Sequence, residues 1–204
     1  YVCLSLTLYI LKTTRNTILF LAFLEGFSVL AAELIGGKMA SVYYGNSIYV
    51  WTSILCITIL GLALGYYLGG RLSNSQKEEG ILYKIFLGAA FSVALMPGWG
   101  NMVMKMTMVL GYQSGVILSC ILFLAPTMTL LGMIPPTLIN FQSKSINNSG
   151  TITGNLFAIS SIGGIFSVII TGFFVIPSYG FKSAISTIAV LLAIIPFIYF
   201  FKRK

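Results

Sequence analysis

The sequence predicts an all-α integral membrane protein of about six transmembrane helices, with no soluble domain large enough to do chemistry on its own. Three observations carry that expectation. Only 8% of the 204 residues are charged, whereas a soluble domain carries roughly 25%. Apolar residues make up 57% of the chain, and the mean hydropathy is +0.97. The apolar residues also gather into six stretches near the roughly 20 residues needed to cross a bilayer. So few charges cannot cover a folded surface against water, so the matching solvent is lipid.

The six stretches are residues 17–37, 47–69, 81–96, 114–139, 152–177 and 182–201. The third is the shortest. Pro126, Gly132 and the pair Pro135-Pro136 punctuate the fourth, which predicts a broken or kinked helix, because each proline removes a backbone donor and crowds the preceding turn. Residues 99–111 are less apolar and are expected to lie along the interface. Residues 1–16 form an N-terminal segment. Its first eleven residues are apolar but too short to span, and fit an interfacial segment or the end of a helix that begins upstream of Tyr1. They lack the charged n-region and small-residue cleavage site of a signal peptide. No linker or second domain is visible, so residues 1–204 read as a single transmembrane domain.

Charge sets the expected orientation in the cell membrane. With six spans, one side receives Lys12, Arg15, Arg71, Lys77, Lys84, Lys144, Lys202, Arg203 and Lys204, and the other receives Lys38, Lys105 and Lys182. Nine against three places both termini in the cytoplasm by the positive-inside rule. The polar loops at residues 73–80 and 142–150 fall on the same side, where the sequon-like Asn147-Asn148-Ser149 never meets a glycosylation enzyme. The net charge of +8 belongs to scattered loop cations and does not indicate nucleic acid binding.

Composition also excludes most catalysis. There is no Asp and no His, and the acids are Glu25, Glu33, Glu78 and Glu79. A His-based triad, a His-ligated metal and an Asp–Glu pair are all absent from the vocabulary, so no catalytic residue, metal site or cofactor is assigned. Cys3, Cys56 and Cys120 lie in apolar stretches without CxxC spacing and read as small hydrophobes. The alternating Met102, Met104, Met106 and Met108 raise the question of Cu(I). Period-two spacing scatters sulfurs around a helix, and no Cys or His lies nearby to complete a site. Tyr43, Tyr44, Tyr49 and Trp51 read as an interfacial aromatic belt.

Two features carry the functional expectation. Glu25 and Glu33 sit eight residues apart in the first span, about 80° around a helix, and Ser28 lies about 60° to the other side of Glu25. A charge near mid-membrane costs about 2.5–3.5 kcal/mol on insertion scales, so this polar sector is expected to face the bundle or a water-filled cavity. One reading is a substrate-binding or protonatable site for a cation. The other places Glu33 at the interface, held by Lys38, a tyrosine or a backbone amide. The second feature is the run Gly61, Gly65 and Gly69 on the second span, with Gly150 and Gly154 repeating the spacing at the fifth. Surfaces without side chains let backbones approach closely in lipid, which makes them helix-packing faces or faces that slide during transport.

The ordered set of motifs has a family likeness. It runs from Gly26, Glu33 and Lys38 through Gly45-Asn46-Ser47-Ile48-Tyr49-Val50-Trp51 and Gly61-Leu62-Ala63-Leu64-Gly65 to Gly69-Gly70-Arg71. It continues with Pro126, Leu131-Gly132-Met133, Pro135-Pro136, Gly150 and Gly154-Asn155-Leu156-Phe157-Ala158, and ends at Gly172-Phe173-Phe174-Val175-Ile176-Pro177 and Gly180. Together these resemble the membrane half of spermidine-synthase-like membrane proteins, which fuse a major-facilitator-like domain to a spermidine synthase domain. The likeness covers residues 25–180, and Gly69-Gly70-Arg71 is also similar to the loop between helices two and three of major-facilitator transporters. Val42 stands where the family usually has proline. The sequence ends at Lys204, where fused members continue into a soluble α/β domain, so aminopropyl transfer does not carry over.

The resemblance implies a half-major-facilitator-like bundle. Its implied role is a transporter-like module handling a small cationic, polyamine-related molecule in the bilayer, in concert with a separate synthase-like protein. A non-transporting anchor or structural subunit of a larger membrane complex is the competing expectation. In that case the glutamates are structural and the glycine faces meet other membrane subunits.

Overall fold

The computed structural model describes residues 2–75, 79–142 and 149–202, with side chains described for residues 16–73, 81–141 and 149–194. The middles of the two polar loops expected at residues 73–80 and 142–150 lie outside the described residues. The described chain is helical almost throughout. Helix α1 spans Val2–Tyr44, α2 Ile48–Ser75 and α3 Glu79–Thr107, the last ending in a 3₁₀ turn at Met108–Leu110. Three short helices follow: α4 (Tyr112–Phe123), α5 (Ala125–Gly132) and α6 (Ile134–Gln142). Helix α7 (Ser149–Ile169) runs through a π-helical turn at Ile170–Val175 into α8 (Ile176–Lys202).

Four helical stretches among the described residues are long and apolar enough to cross a membrane: Asn16–Tyr44, Ile48–Ser73, Ile81–Leu110 and Ser149–Ile194. A fifth is obtained when Tyr112–Phe123 and Ala125–Phe141, bent by 40°, are taken as one broken span. Against the expectation of about six, the difference lies in the 46-residue stretch Ser149–Ile194, which the sequence divides near Pro177. It contains Gly180 at φ 76° and ψ 168°, a non-helical conformation in the left-handed half of backbone space that side-chain-bearing residues rarely adopt.

The broken fourth stretch has its interruptions at Leu124 and Met133, bracketing the turn that holds Pro126. The expectation for residues 99–111 is corrected. Helix α3 carries Pro97 inside it and continues to Thr107 rather than turning to lie along an interface. Tertiary packing explains this. Val103 and Met104 each lie about one turn before Thr107 and all three are buried, so this segment forms part of the bundle despite its lower hydropathy. The methionine run divides accordingly, with Met104 fully buried while Met102, Met106 and Met108 are exposed. Residues 2–11 are likewise continuous with α1.

The core lies where α1 crosses the other helices, around Ile35, Met39, Ile54, Phe86, Leu124, Met128 and Ile134. Backbone contact without side chains sets the closest crossings. A Cβ on Gly61 would stand 2.7 Å from Met128 Cβ, and one on Gly69 would stand 2.6 Å from the Met133 carbonyl oxygen. Between them, Gly65 faces the Thr129 carbonyl and the Gly132 backbone, so the α2 glycines lie directly against α5 and the start of α6. Gly154 differs: nothing lies within 4 Å of where its Cβ would be, so it is not a packing contact among the described residues. The close approach on α7 is made instead by Gly163, against the Phe23 carbonyl of α1, and by Gly164, against Leu30.

At the α1–α2 turn end, Tyr44 of α1 is buried and bonded to Thr107 Oγ1 at 2.7 Å and to Ser119 Oγ at 3.2 Å. Thr107 and Ser119 also bond to each other, so three hydroxyls join α1, α3 and α4. Tyr44 thus leaves the aromatic belt expected from its position, whereas Tyr49 and Trp51 are exposed.

Candidate functional site

The acids of α1 are the only carboxylates in the first span, and the structure gives them different surroundings. Glu25 is 3% exposed. It sits beside the crossing of α1 and α7, where a Cβ on Gly26 would overlap the Ser160 carbonyl. Because Gly26 lets the two backbones come that close, a side chain as short as serine can reach across: Ser160 Oγ donates to Glu25 Oε2 at 2.8 Å. Glu25 also borders a cavity of about 10 Å³, walled by Ala22, Pro135, Leu138 and Leu156. That is about the space one water molecule needs. Three helices, α1, α6 and α7, therefore converge on one carboxyl group, with room beside it for a single small guest.

Glu33 is half-buried and faces a different helix. Its carboxylate interacts with the Thr58 side chain of α2. The Thr58 hydroxyl is itself buried, yet it makes no hydrogen bond of normal geometry. A buried hydroxyl without a partner costs about 1–3 kcal/mol relative to a satisfied one, so this position holds unsatisfied polar capacity facing a carboxylate. Glu33 is not among the residues lining the cavity at Glu25.

Ser28 does not join either group. It is fully buried and donates to the Leu24 carbonyl one turn back in its own helix at 2.7 Å. Lys38 follows Glu33 by five residues on the same continuous helix, which places it about 140° around the axis, and it lines an open groove instead. The polar sector expected from helical spacing is therefore divided. Glu25 addresses α7 and α6, Glu33 addresses α2, and Ser28 is satisfied locally.

Sequence reasoning missed Ser160 and Thr58 as partners. Ser160 lies 135 residues from Glu25 in the chain. The available signal was its place in a small-residue run, Ser160-Ser161-Ile162-Gly163-Gly164, which marks a face open to close approach without saying which helix approaches. Thr58 carried no signal, being one of many β-branched residues in an apolar helix. Among the described residues no group of three or more His, Cys, Asp or Glu side chains has the arrangement of a metal site.

Comparison with protein-family models, curated proteins and solved structures finds no match for this chain.

Proposed function

We propose that this protein is a six-span, half-major-facilitator-like bundle with cytoplasmic termini, and that it binds a small cationic molecule at the acids of its first span. The observation that carries the reading is Glu25, a carboxylate held deep in the bundle by Ser160 next to a cavity. Ionisable groups within membrane spans are costly to keep, and they mark ion or substrate paths by default. Glu33, facing an unsatisfied hydroxyl about 12 Å further along the same helix, supplies a second anionic station.

Helix lengths support six spans. The stretch Ser149–Ile194 would extend about 69 Å if straight, more than twice the roughly 30 Å hydrocarbon thickness, and its break at Gly180 divides it. The main helix contacts, α1 with α7, α2 with α5 and α3 with α8, fit a bundle in which α1, α3 and α7 run one way and the others return. The family likeness makes a polyamine-type molecule the first substrate class to try, with a synthase-like protein as partner.

The test is calorimetric titration of spermidine into the purified protein, comparing wild type with Glu25→Gln and Glu33→Gln at matched thermal stability. Binding by wild type that weakens at least about tenfold in either variant supports the reading, since that corresponds to about 1.4 kcal/mol, the size of one charge-assisted contact. Equal binding by all three, or binding by none, removes it.

One observation favours the anchor-subunit reading. Gly154, Asn155 and Ser161 are exposed on α7, and a polar amide facing lipid is better placed against another helix. Co-purification of a stoichiometric membrane partner that is lost on Asn155→Leu, with no spermidine binding, would select that alternative.

A further inference from the structure

A second feature lies on a different side of α1, about 80–140° around the helix from Glu33. Between α1, the α1–α2 turn and the start of α8 is an open groove of about 530 Å³, within the range of small-molecule sites. Its polar rim consists of Lys38, Ser41 and Asn46, and Lys38 is the single charged residue among those lining it. The hydrogen bonds already made there decide what the rim still offers. Asn46 Oδ1 accepts from the Trp51 indole N–H at 2.8 Å, which leaves the amide N–H bonds of Asn46 to donate. Ser41 Oγ donates to the Lys38 carbonyl at 2.8 Å. Lys38 is exposed, with three N–H bonds and no carboxylate among the residues around the groove. The rim is therefore rich in donors and carries one uncompensated positive charge.

The rest of the groove is apolar. The Trp51 ring lies across Gly37, where a Cβ would stand 3.1 Å from the indole, so a residue without a side chain lets the ring lie close against α1. Leu34, Ile176 and Pro177 complete the wall. Donors and a cation at the rim above an aromatic and aliphatic floor complement a ligand with an anionic head and a short apolar body. We propose that this groove binds an amphipathic anion, with a phosphate or carboxylate head at Lys38 and Asn46 and its hydrocarbon part against Trp51, Leu34 and Ile176. The same head chemistry occurs on soluble organic anions and on anionic bilayer lipids.

The experiment titrates octyl phosphate into the full chain purified in a nonionic detergent. One molecule binds per protein. Lys38→Met weakens binding at least about tenfold, the loss of one charge-assisted contact, whereas Lys38→Arg retains it. Lys105→Met removes an exposed cation from the end of α3, outside the groove, and leaves binding unchanged. Ile176→Trp, which fills the groove without altering charge, also abolishes it, so the proposal does not rest on one variant. Mass spectrometry of the intact protein with added phosphatidylglycerol or phosphatidylcholine then identifies the source. Retention of phosphatidylglycerol alone, lost in Lys38→Met, points to a bilayer lipid; octyl phosphate binding without lipid retention points to a soluble anion. Absence of octyl phosphate binding to the wild type, or equal losses in Lys38→Met and Lys105→Met, overturns the proposal. These outcomes do not depend on the spermidine titration, so the two readings fail separately.

Discussion

Glu25 and Glu33 are the same residue type, on the same helix and two turns apart, yet they occupy opposite kinds of surroundings. Glu25 is enclosed where α1 and α7 meet backbone to backbone, and one of its oxygens is held by a serine. Glu33 is half-buried against α2, beside a threonine hydroxyl that makes no hydrogen bond of normal geometry. A hydrogen-bonded buried acid has fixed geometry and few alternatives. Glu25 has a made hydrogen bond and a small cavity beside it, whereas Glu33 has only polar capacity without a well-formed bond. The two differ in the helix that neighbours them, α7 for Glu25 and α2 for Glu33. The glycines of α7 and α1 bring two backbones together beside Glu25, while Glu33 meets the side-chain-bearing face of α2 at Thr58.

The largest expected effect comes from the crossing itself. Gly26→Leu would place a side chain into the Ser160 backbone, and overpacking of this kind costs about 3 kcal/mol. The thermal unfolding midpoint in detergent should fall by several degrees or the protein should fail to assemble. Gly154→Leu, which points into open space, should leave the midpoint unchanged. A wild-type midpoint for Gly26→Leu would mean that α1 and α7 do not touch there.

A comparable loss is expected for Gly65→Leu, where the new side chain meets the Thr129 carbonyl and the Gly132 backbone. Leu62→Ala on the same helix removes a partly buried side chain and should cost less. Measuring both in one background shows whether the α2–α5 contact is as close as the α1–α7 contact. The ordering Leu62→Ala worse than Gly65→Leu would refute a close glycine face.

Smaller effects sharpen the contrast between the acids. Ser160→Ala removes the hydrogen bond from α7 to Glu25 and should cost about 1 kcal/mol, typical of an interhelical bond in a membrane protein. Thr58→Val deletes the Thr58 hydroxyl while keeping the volume. It should cost less than Ser160→Ala, within about 0.5 kcal/mol of wild type, because the hydroxyl makes no hydrogen bond of normal geometry. Were Thr58→Val as damaging as Ser160→Ala, the two sites would be energetically alike and the distinction drawn above would fail.

The helical character and apolar stretches were legible in the chain because hydropathy and the absence of charge depend on composition alone. The interruption of the fourth stretch was legible because Pro126 and Pro135-Pro136 act through their own backbone. What the sequence could not supply was partnership. Helical spacing puts Glu25, Ser28 and Glu33 within one sector, but it does not say that α7 covers one edge of that sector and α2 the other. Ser28 looked like a member of the site because its spacing is right, and its own helix carbonyl took the hydroxyl instead. Residues 99–111 looked interfacial because their mean hydropathy is lower; buried Val103, Met104 and Thr107 keep residues 99–107 in the bundle. Tyr44 looked like a belt residue until Thr107 and Ser119 provided buried partners.

The π-helical turn at Ile170–Val175 has a consequence for how the two ends of this segment relate. Such a turn holds about one residue more than the α-helix around it. Each residue advances the helix by about 100°, so the surplus residue rotates everything downstream by that amount. The exposed stripe of α7 cannot be extended in phase into α8, and any alignment of faces across the turn must skip a residue. A deletion of one residue within it would restore a uniform helix and swing Ile176 and Pro177 away from α1. The turn thus works as a phase adjuster, setting which side of the following helix looks inward while the two helices stay joined.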